Sequence, residues 1–278
     1  MTSAALVVAL ASLVPTHSQA TQQSGADQTA PRWRNAAAQM LDLSVNAGLG
    51  ALTAGVRAKL GGRSFWPAFK QGVLGGTINY AGKRIIGTRE PAFRLVGREV
   101  AALGASVVAN GGEGRAPFAA AILPFGPARF YVGQPGVRVK LDLAGSIALV
   151  YTATHSHGHL DLGASLAAGT PILGNVTLDG VHQGGHIAGV IAHVGTVASR
   201  RTIAHELVHT AEYDFTFIAW GEPAERALAP NVPAGRFIHR YFDLGANMTL
   251  WELGDWLVPY RQRPWEHEAV LMTDRPWP

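Results

Sequence analysis

The stretch Ile203–Phe215 reads IAHELVHTAEYDF, and its periodicity decides how the C-terminal third of the chain is built. His205 and His209 stand four residues apart, the spacing that sets two side chains one turn apart on one face of a helix. Leu207 and Val208 between them are apolar and Ala204 before them is small, as a helix half-buried against a core requires. Ser199 or Thr202 upstream can cap its first turn. The stretch therefore predicts a helix, and on a helix His205 and His209 can bind one metal ion through two neutral imidazoles. Glu206 projects beside them, where it can take a proton from a metal-bound water rather than bind the ion itself.

Outward from this helix the texture changes twice. C-terminal to it, Gly235 to Trp256 places Phe237, Tyr241, Leu244, Met248 and Trp251 along one apolar helical face, and a further helix is predicted from Pro264 in PWEHEAVLMT, proline being favoured in a first turn. N-terminal to it, residues 111–198 break into short alternating or apolar segments punctuated by Gly and Pro: ARFYVG, VRVKLDLAG, SIALVYTAT, HLDLGASLA and finally IAGVIAHVG. These predict strands of an antiparallel sheet. Residues 32–110 are rich in Ala, Gly, Leu and Val and predict helices. The third of them, Pro91 to Asn110, carries Phe93, Val96, Val100, Leu103 and Val107 as its packing stripe, with Arg94, Arg98 and Glu99 off it. The fold class expected is α+β: N-terminal helices, a central antiparallel sheet, then a helical segment at 199–278. Residues 32–278 are read as one domain or two.

Thirty-three glycines in 278 residues exceed the usual share of about 7%. Glycine costs a helix about 1 kcal/mol against alanine, so its abundance in helices needs a reason. Small residues recur four apart, as in Gly72 to Gly76 and Ala51 to Gly55, which lets helices approach closely. Arg57, Lys59, Lys70, Lys83 and Arg84 interrupt these segments, so none is a membrane span; peripheral membrane contact through residues 45–87 stays open. Gly48-Leu49-Gly50 lacks the third glycine of a dinucleotide site, and Gly82-Lys83 is followed by Arg84 where a phosphate-binding loop needs Ser or Thr.

The absence of cysteine excludes disulfides, thiolate ligands and a cysteine nucleophile. A formal charge of +4 without any basic run gives no support to nucleic-acid binding. Residues 1–20 hold an apolar run, Ala4 to Val14, followed by Ser18-Gln19-Ala20, the pattern of a cleaved signal peptide but without a basic start. Export to the periplasm, cell envelope or medium is the expectation, with the polar residues 21–31 as a linker.

His205-Glu206-Leu207-Val208-His209 resembles the H-E-x-x-H helix of the zincin metallopeptidases. The extended metzincin continuation is missing, since Glu212 and Phe215 stand where glycine and histidine belong. The resemblance is to the branch whose third ligand is a glutamate on a later helix, and Glu266-His267-Glu268-Ala269 looks like the E-x-E-A stretch of that helix. Carried over, the resemblance implies a zinc ion held by His205, His209 and Glu268, with Glu266 second in order and His267 third. Glu222 and Glu225 remain further candidates. It also implies a peptide or protein substrate. Glu212 is placed to orient a ligand histidine. Tyr213 and Tyr241 are weighed between oxyanion donors and core packing.

A second histidine cluster, His155, His157 and His159, would share one face of a strand, with His182, His186 and His193 farther on. An exposed polar strand face and an accessory metal site are both open there. The function expected is an exported zinc-dependent hydrolase with Glu206 as general base. The alternatives are an envelope-associated protein with a structural metal, and a protein acting at a membrane surface or in self-assembly.

Overall fold

Three long helices come first: α1 (Arg32–Leu60), α2 (Phe65–Gly87) and α3 (Pro91–Gly112). The computed structural model describes residues 32–133, 136–176, 184–195, 199–248, 257–258 and 263–273, so the expected leader and linker at 1–31 lie outside them. Helix α2 packs along both α1 and α3, and glycine makes the approach close. A Cβ added at Gly76 would stand 2.1 Å from the carbonyl oxygen of Asn46 on α1, and one at Gly82 would stand 2.3 Å from the amide nitrogen of Ala101 on α3. Backbone meets backbone at both places, which accounts for the helical glycines.

This close packing shifts the face expected for α3: Val107 is fully buried as expected, but the N-terminal end of the stripe is not. Phe93 and Val96, assigned to the packing stripe, are each about half exposed, whereas Arg94 and Arg98 are buried. The side that faces α2 is the one carrying Gly97, Ala101 and Gly104, because only small residues let the backbones meet. Arg98 is drawn inward with it, where its Nε donates to Asp214 Oδ2 at 3.0 Å and its Nη1 donates to the carbonyl of Gly169.

The central region is less regular than its sequence predicts. Strands β1 (Ala120–Phe125), β2 (Ala128–Gly133) and β3 (Gly136–Asp142) form an antiparallel meander. The segment SIALVYTAT is not a strand but lies in α4 (Leu143–His155). Asp142 caps that helix, accepting a hydrogen bond from the Gly145 amide. HLDLGASLA divides into β4 (His159–Leu160) and α5 (Leu162–Ala168), capped by Asp161 and ended by Gly169 in the left-handed conformation. Strand β5 (Ile172–Gly174) comes next. IAGVIAHVG is the second half of a hairpin rather than one strand: β6 (Gly184–Ile187) turns through Ala188 and Gly189, both at positive φ, into β7 (Val190–His193). The second sheet runs β4-β5-β7-β6, and its β5–β7 pair is parallel. There are thus two small mixed sheets with helices between them, in place of one antiparallel sheet. The class is α+β.

Helix α6 (Arg200–Thr216) carries the two histidines and passes through a π-helical turn (Phe217–Gly221) into α7 (Glu222–Leu228). The helix predicted from 235 to 256 stops early. Helix α8 is Gly235–Tyr241, and the chain then extends as β8 (Phe242–Asp243), parallel to β3. The cause is Asp243, whose fully buried carboxylate accepts from Tyr131 at 2.8 Å and Lys140 at 3.0 Å, which a continuing helix would forbid. Phe237, Tyr241 and Leu244 are exposed as a result, and Trp251 and Trp256 lie outside the described residues. Helix α9 (Pro264–Thr273) begins where its proline predicts.

One core cluster positions the histidine-bearing helix. Leu207, Val208, Ala204 and Ala211 of α6 pack with Ile86, Ala101, Ile172, Ile191, Ala269 and Met272. Helix α6 is therefore held between the helical layer, the second sheet and α9. Complete burial of Leu207 contributes about 2–3 kcal/mol.

The close packing can be tested with a pair of glycine substitutions. Gly76→Ala should lower stability by about 1–3 kcal/mol, because the methyl meets rigid backbone. Gly48→Ala on α1, with nothing within 4 Å, should raise stability by about 1 kcal/mol. Equal effects in chemical denaturation would contradict the close approach. Separately, Glu99 on α3 has two buried carboxyl oxygens without hydrogen-bond partners, and burial pushes its pKa up to about 7. The folded state holds that proton more tightly than the unfolded state, so stability falls as pH rises from about 4.5 to 7. Glu99→Gln should then be neutral at pH 4 and stabilising by roughly 2–3 kcal/mol above pH 7, read from melts across that range.

Candidate metal centre

The N-terminus of α6 is capped by Ser199, whose Oγ accepts from the Thr202 amide at 2.9 Å. This fixes the helical register of His205, Glu206 and His209. The two imidazoles converge, Nε2 to Nε2, at 3.2 Å with their rings near perpendicular. The Glu266 carboxylate on α9 completes the group, its Oε2 lying 3.4 Å from His205 Nε2 and 3.5 Å from His209 Nε2.

These separations can be tested against a metal. Ligand atoms at the 2.0–2.1 Å distances typical of zinc in a tetrahedral site are about 3.3 Å from one another. The triangle of 3.2, 3.4 and 3.5 Å matches that edge on all three sides. Two nitrogens and one carboxylate oxygen are also a donor set suited to zinc, and three protein ligands leave a fourth position open.

Glu268, which the resemblance ranks first, is elsewhere. Its Oε1 accepts from Asn46 Nδ2 at 2.8 Å and from Lys83 Nζ at 3.0 Å. Residues two apart on a helix point about 200° away from each other. Burial of Ala269 and Met272 fixes the rotation of α9, and Gly87 of α2 lets α9 approach, with the Met272 carbonyl 2.3 Å from where a Cβ would be. That rotation turns Glu266 to the histidines and Glu268 to Lys83. The geometry thus favours Glu266 as third ligand. Glu225 is also placed away, accepting from the amides of Leu244 and Ala246, and Glu222 lies 3.6 Å from Arg226.

A chain of buried charges backs the site. His209 Nδ1 is 2.9 Å from Glu212 Oε2, and Glu212 Oε1 is 3.7 Å from Lys83 Nζ. Lys83 comes from α2 and touches Asn46 of α1 at 3.1 Å. In the sequence Lys83 stands out only as one of two adjacent basic residues, with Arg84, that interrupt an apolar helix. Burial would lower the Lys83 pKa, but Glu268 and Glu212 outweigh it and raise it. Burial would likewise raise Glu268, and the Lys83 charge with the Asn46 hydrogen bond holds it low.

The site itself is polarised. Burial works against charge on His209, yet its bonds to Glu212 and Glu266 hold its pKa well above the usual histidine value. Glu266 is held far below the usual carboxylate range, against its burial, by those imidazoles. Glu206 is raised, first by burial and further by the Glu266 charge, the two histidines opposing. Strand β6 borders it: a Cβ on Gly184 would be 3.6 Å from Glu206 Oε1. A buried carboxyl with raised proton affinity beside a group of potential metal ligands is an arrangement that general acid–base chemistry uses.

The other candidates fall outside this centre. His155 is exposed at the end of α4, stacked on Tyr151, His157 sits in a loop at positive φ, and only His159 is in a strand. They share no strand face, and no metal-competent group among the described residues includes them. His186 Nε2 accepts from the Gly189 amide inside the β6–β7 hairpin, and burial, with the His209 charge, lowers its pKa to about 3. His193 is buried, and His182 lies outside the described residues. Tyr213 is buried in the core cluster with Leu173 and Val190, and Tyr241 is exposed against Phe237. A second group, Glu225, His239 and Asp243, has metal-like spacing, but Lys140 Nζ already sits 3.0 Å from Asp243 and 3.4 Å from His239 Nε2.

Lys83→Met should leave two buried carboxylates without their cation and cost about 3–5 kcal/mol of stability. Adding Glu268→Gln should recover part of that loss, so that a double-mutant cycle in chemical denaturation shows coupling; strict additivity would mean that the ion pair does not hold the layers together.

Comparison of the chain with protein-family models, with curated proteins and with solved structures gives no match. The chemistry of the centre therefore has to be argued from its own geometry.

Proposed function

We propose that this chain is a zinc-dependent hydrolase, a peptidase acting outside the cytoplasm. The observation that carries the reading is the His205–His209–Glu266 triangle, whose three edges suit one tetrahedral ion. These three residues would hold the metal. When bound there, zinc would supply Lewis acidity towards a carbonyl and lower the pKa of a water towards about 7.

The remaining work falls to residues of the chain. Glu206 takes the proton from the attacking water onto a carboxylate whose burial raises its proton affinity, and later returns it to the leaving amine. Glu212 accepts a hydrogen bond from the Nδ1–H of His209, which leaves Nε2 to face the centre. Lys83 compensates the charge of Glu212 and Glu268, opposing the burial that raises the proton affinity of Glu212. A peptide substrate is supported by the resemblance to zincin peptidases at His205-Glu206-Leu207-Val208-His209. Export is supported by the apolar run and small-residue site within residues 1–20.

A second reading rests on the position of α9. Glu266 and Glu268 tie this short helix to α6 and α2, so an ion at the triangle would also act as a clamp.

One set of variants separates the two. Glu206→Gln should retain stoichiometric zinc, measured by atomic absorption, while hydrolysis of a peptide library falls about 10²–10⁴-fold. Glu266→Gln should weaken zinc binding itself, and Glu268→Gln should affect stability more than zinc content. Full activity in Glu206→Gln would refute the mechanism. Bound zinc with no hydrolysis by the native chain, and a melt that drops on chelation, would establish the clamp.

A further inference from the structure

One end of the helical layer carries a recess of about 680 Å³, between the C-terminal ends of α1 and α3 and the π-helical turn that leads into α7. That size falls in the roughly 300–1,000 Å³ range of small-molecule sites. Arg57, Arg63 and Arg226 line it together with Glu113, and Leu60, Trp220 and Pro223 give it an apolar wall. Arg57 is eleven residues after Asn46 on α1, so the recess lies about 16 Å along that helix from the Lys83 ion pairs.

The arginines outnumber the carboxylates that neutralise them. Arg57 Nη2 lies 3.2 Å from Glu113 Oε1, and Arg226 and Arg115 pair with the same carboxylate. Burial opposes the charge on Glu113, yet its hydrogen bond with Arg226 and the charges of the three arginines hold its pKa low. Arg63 donates to the Gly112 carbonyl at 3.3 Å, a neutral partner. The three lining guanidiniums therefore exceed Glu113 by two charges, and Arg115 and Glu222 just beyond them add one of each sign.

Arg57 carries a second sign of a missing partner. Its side chain is only 8% exposed, and its Nη1 is buried without a hydrogen-bond partner. Helix C-termini favour cations, which accounts for arginines near the ends of α1 and α3. It does not account for a buried donor left unmet, which protein interiors avoid. Gly112 makes room for this side chain: a Cβ there would stand 2.9 Å from Arg57 Cβ and 3.3 Å from its Nε. Arg63 and Arg226 are exposed, and exposed side chains change rotamer within nanoseconds, so an entering oxygen can reach Nη1.

Guanidinium forks match the oxygens of carboxylate and phosphate. A surplus of two charges selects a dianion, which a phosphate monoester is near neutral pH and a monocarboxylate is not. The apolar wall suits an aromatic or aliphatic group on the ester. We propose that the recess binds a small organic phosphate monoester, its dianion held by Arg57, Arg63 and Arg226 and its apolar group set against Trp220, Leu60 and Pro223. This site is independent of the metal centre and of any hydrolysis there.

Calorimetric titration of the full chain with phenyl phosphate tests it. One equivalent should bind. Inorganic phosphate, which lacks the ring, and benzoate, which lacks the second charge, should each bind about tenfold or more weakly. Arg63→Gln/Arg226→Gln should weaken phenyl phosphate binding by about tenfold or more. Ala224→Trp fills the recess from an exposed lining position and leaves every charge in place, so it should abolish binding with the melting temperature unchanged. Phthalate, a dicarboxylate on the same ring, binding as tightly as phenyl phosphate would overturn the choice of phosphate. Inorganic phosphate binding as tightly would reduce the recess to a cluster of charge and overturn the ester. Binding that survives both variants would lie elsewhere, a zinc ion at the metal centre being one acceptor of phosphate, and would overturn the inference. So would the absence of binding at millimolar phenyl phosphate.

Discussion

The ammonium of Lys83 is the contact on which the arrangement of the molecule depends. It is buried, reaches Glu268 at 3.0 Å and Glu212 at 3.7 Å, and touches Asn46 at 3.1 Å. Four helices, α1, α2, α6 and α9, thus meet at one cation. A buried ammonium costs several kcal/mol of lost hydration, which only well-placed counter-charges and hydrogen bonds offset. Such a contact tolerates little sliding of any helix. Together with the burial of Ala269 and Met272 it holds the rotation of α9, and the rotation of α9 sets which glutamate faces the histidines.

Lys83 can reach these partners only because the helices around it lie so close. Gly76 against Asn46 and Gly82 against Ala101 bring the three N-terminal helices to backbone contact. The energetic balance differs from that of an ordinary apolar core. Helical glycine sacrifices about 1 kcal/mol per residue, and the return comes from dense dispersion contacts and from polar groups such as Asn79, which donates to the Ala101 carbonyl at 2.9 Å. Few large apolar side chains fit such an interface, Ile86 and Val108 among those that do, and others appear on the outer faces of α1 and α3. The same constraint that builds the interior leaves an apolar exterior.

Some of this is legible in the sequence, and the rest is concealed for identifiable reasons. The H-E-x-x-H helix and the start of α9 are readable because capping residues and a fixed spacing act locally: Ser199, Pro264 and the four-residue interval need no knowledge of the fold. The face of α3 is not, because hydrophobic periodicity assumes that large residues pack inward, whereas Gly97, Ala101 and Gly104 pack and Phe93 does not. SIALVYTAT is ambiguous as a short apolar run; the deciding signal is Asp142 before it, a helix cap that apolar alternation does not register. Asp243 breaks the helix expected through residue 256 by a contact with Tyr131, over a hundred residues away, which no local pattern records.

The choice between Glu266 and Glu268 shows how far family pattern and geometry can diverge. Both are acidic, both lie in the first half of α9, and each is partly or largely buried beside cationic or imidazole groups. The difference is the partner. Glu268 already pairs with a permanent cation, and to serve a metal it would have to give up the shorter of the two ion pairs that Lys83 makes in the interior. Glu266 faces the two imidazoles, groups that can surrender their protons to a metal at neutral pH in a way that lysine cannot. An exchangeable partner at one carboxylate and a fixed one at the other divide the two glutamates, and suit Glu266 rather than Glu268 to the proposed metal. The division follows from proton chemistry, whatever the spacing in the motif suggests.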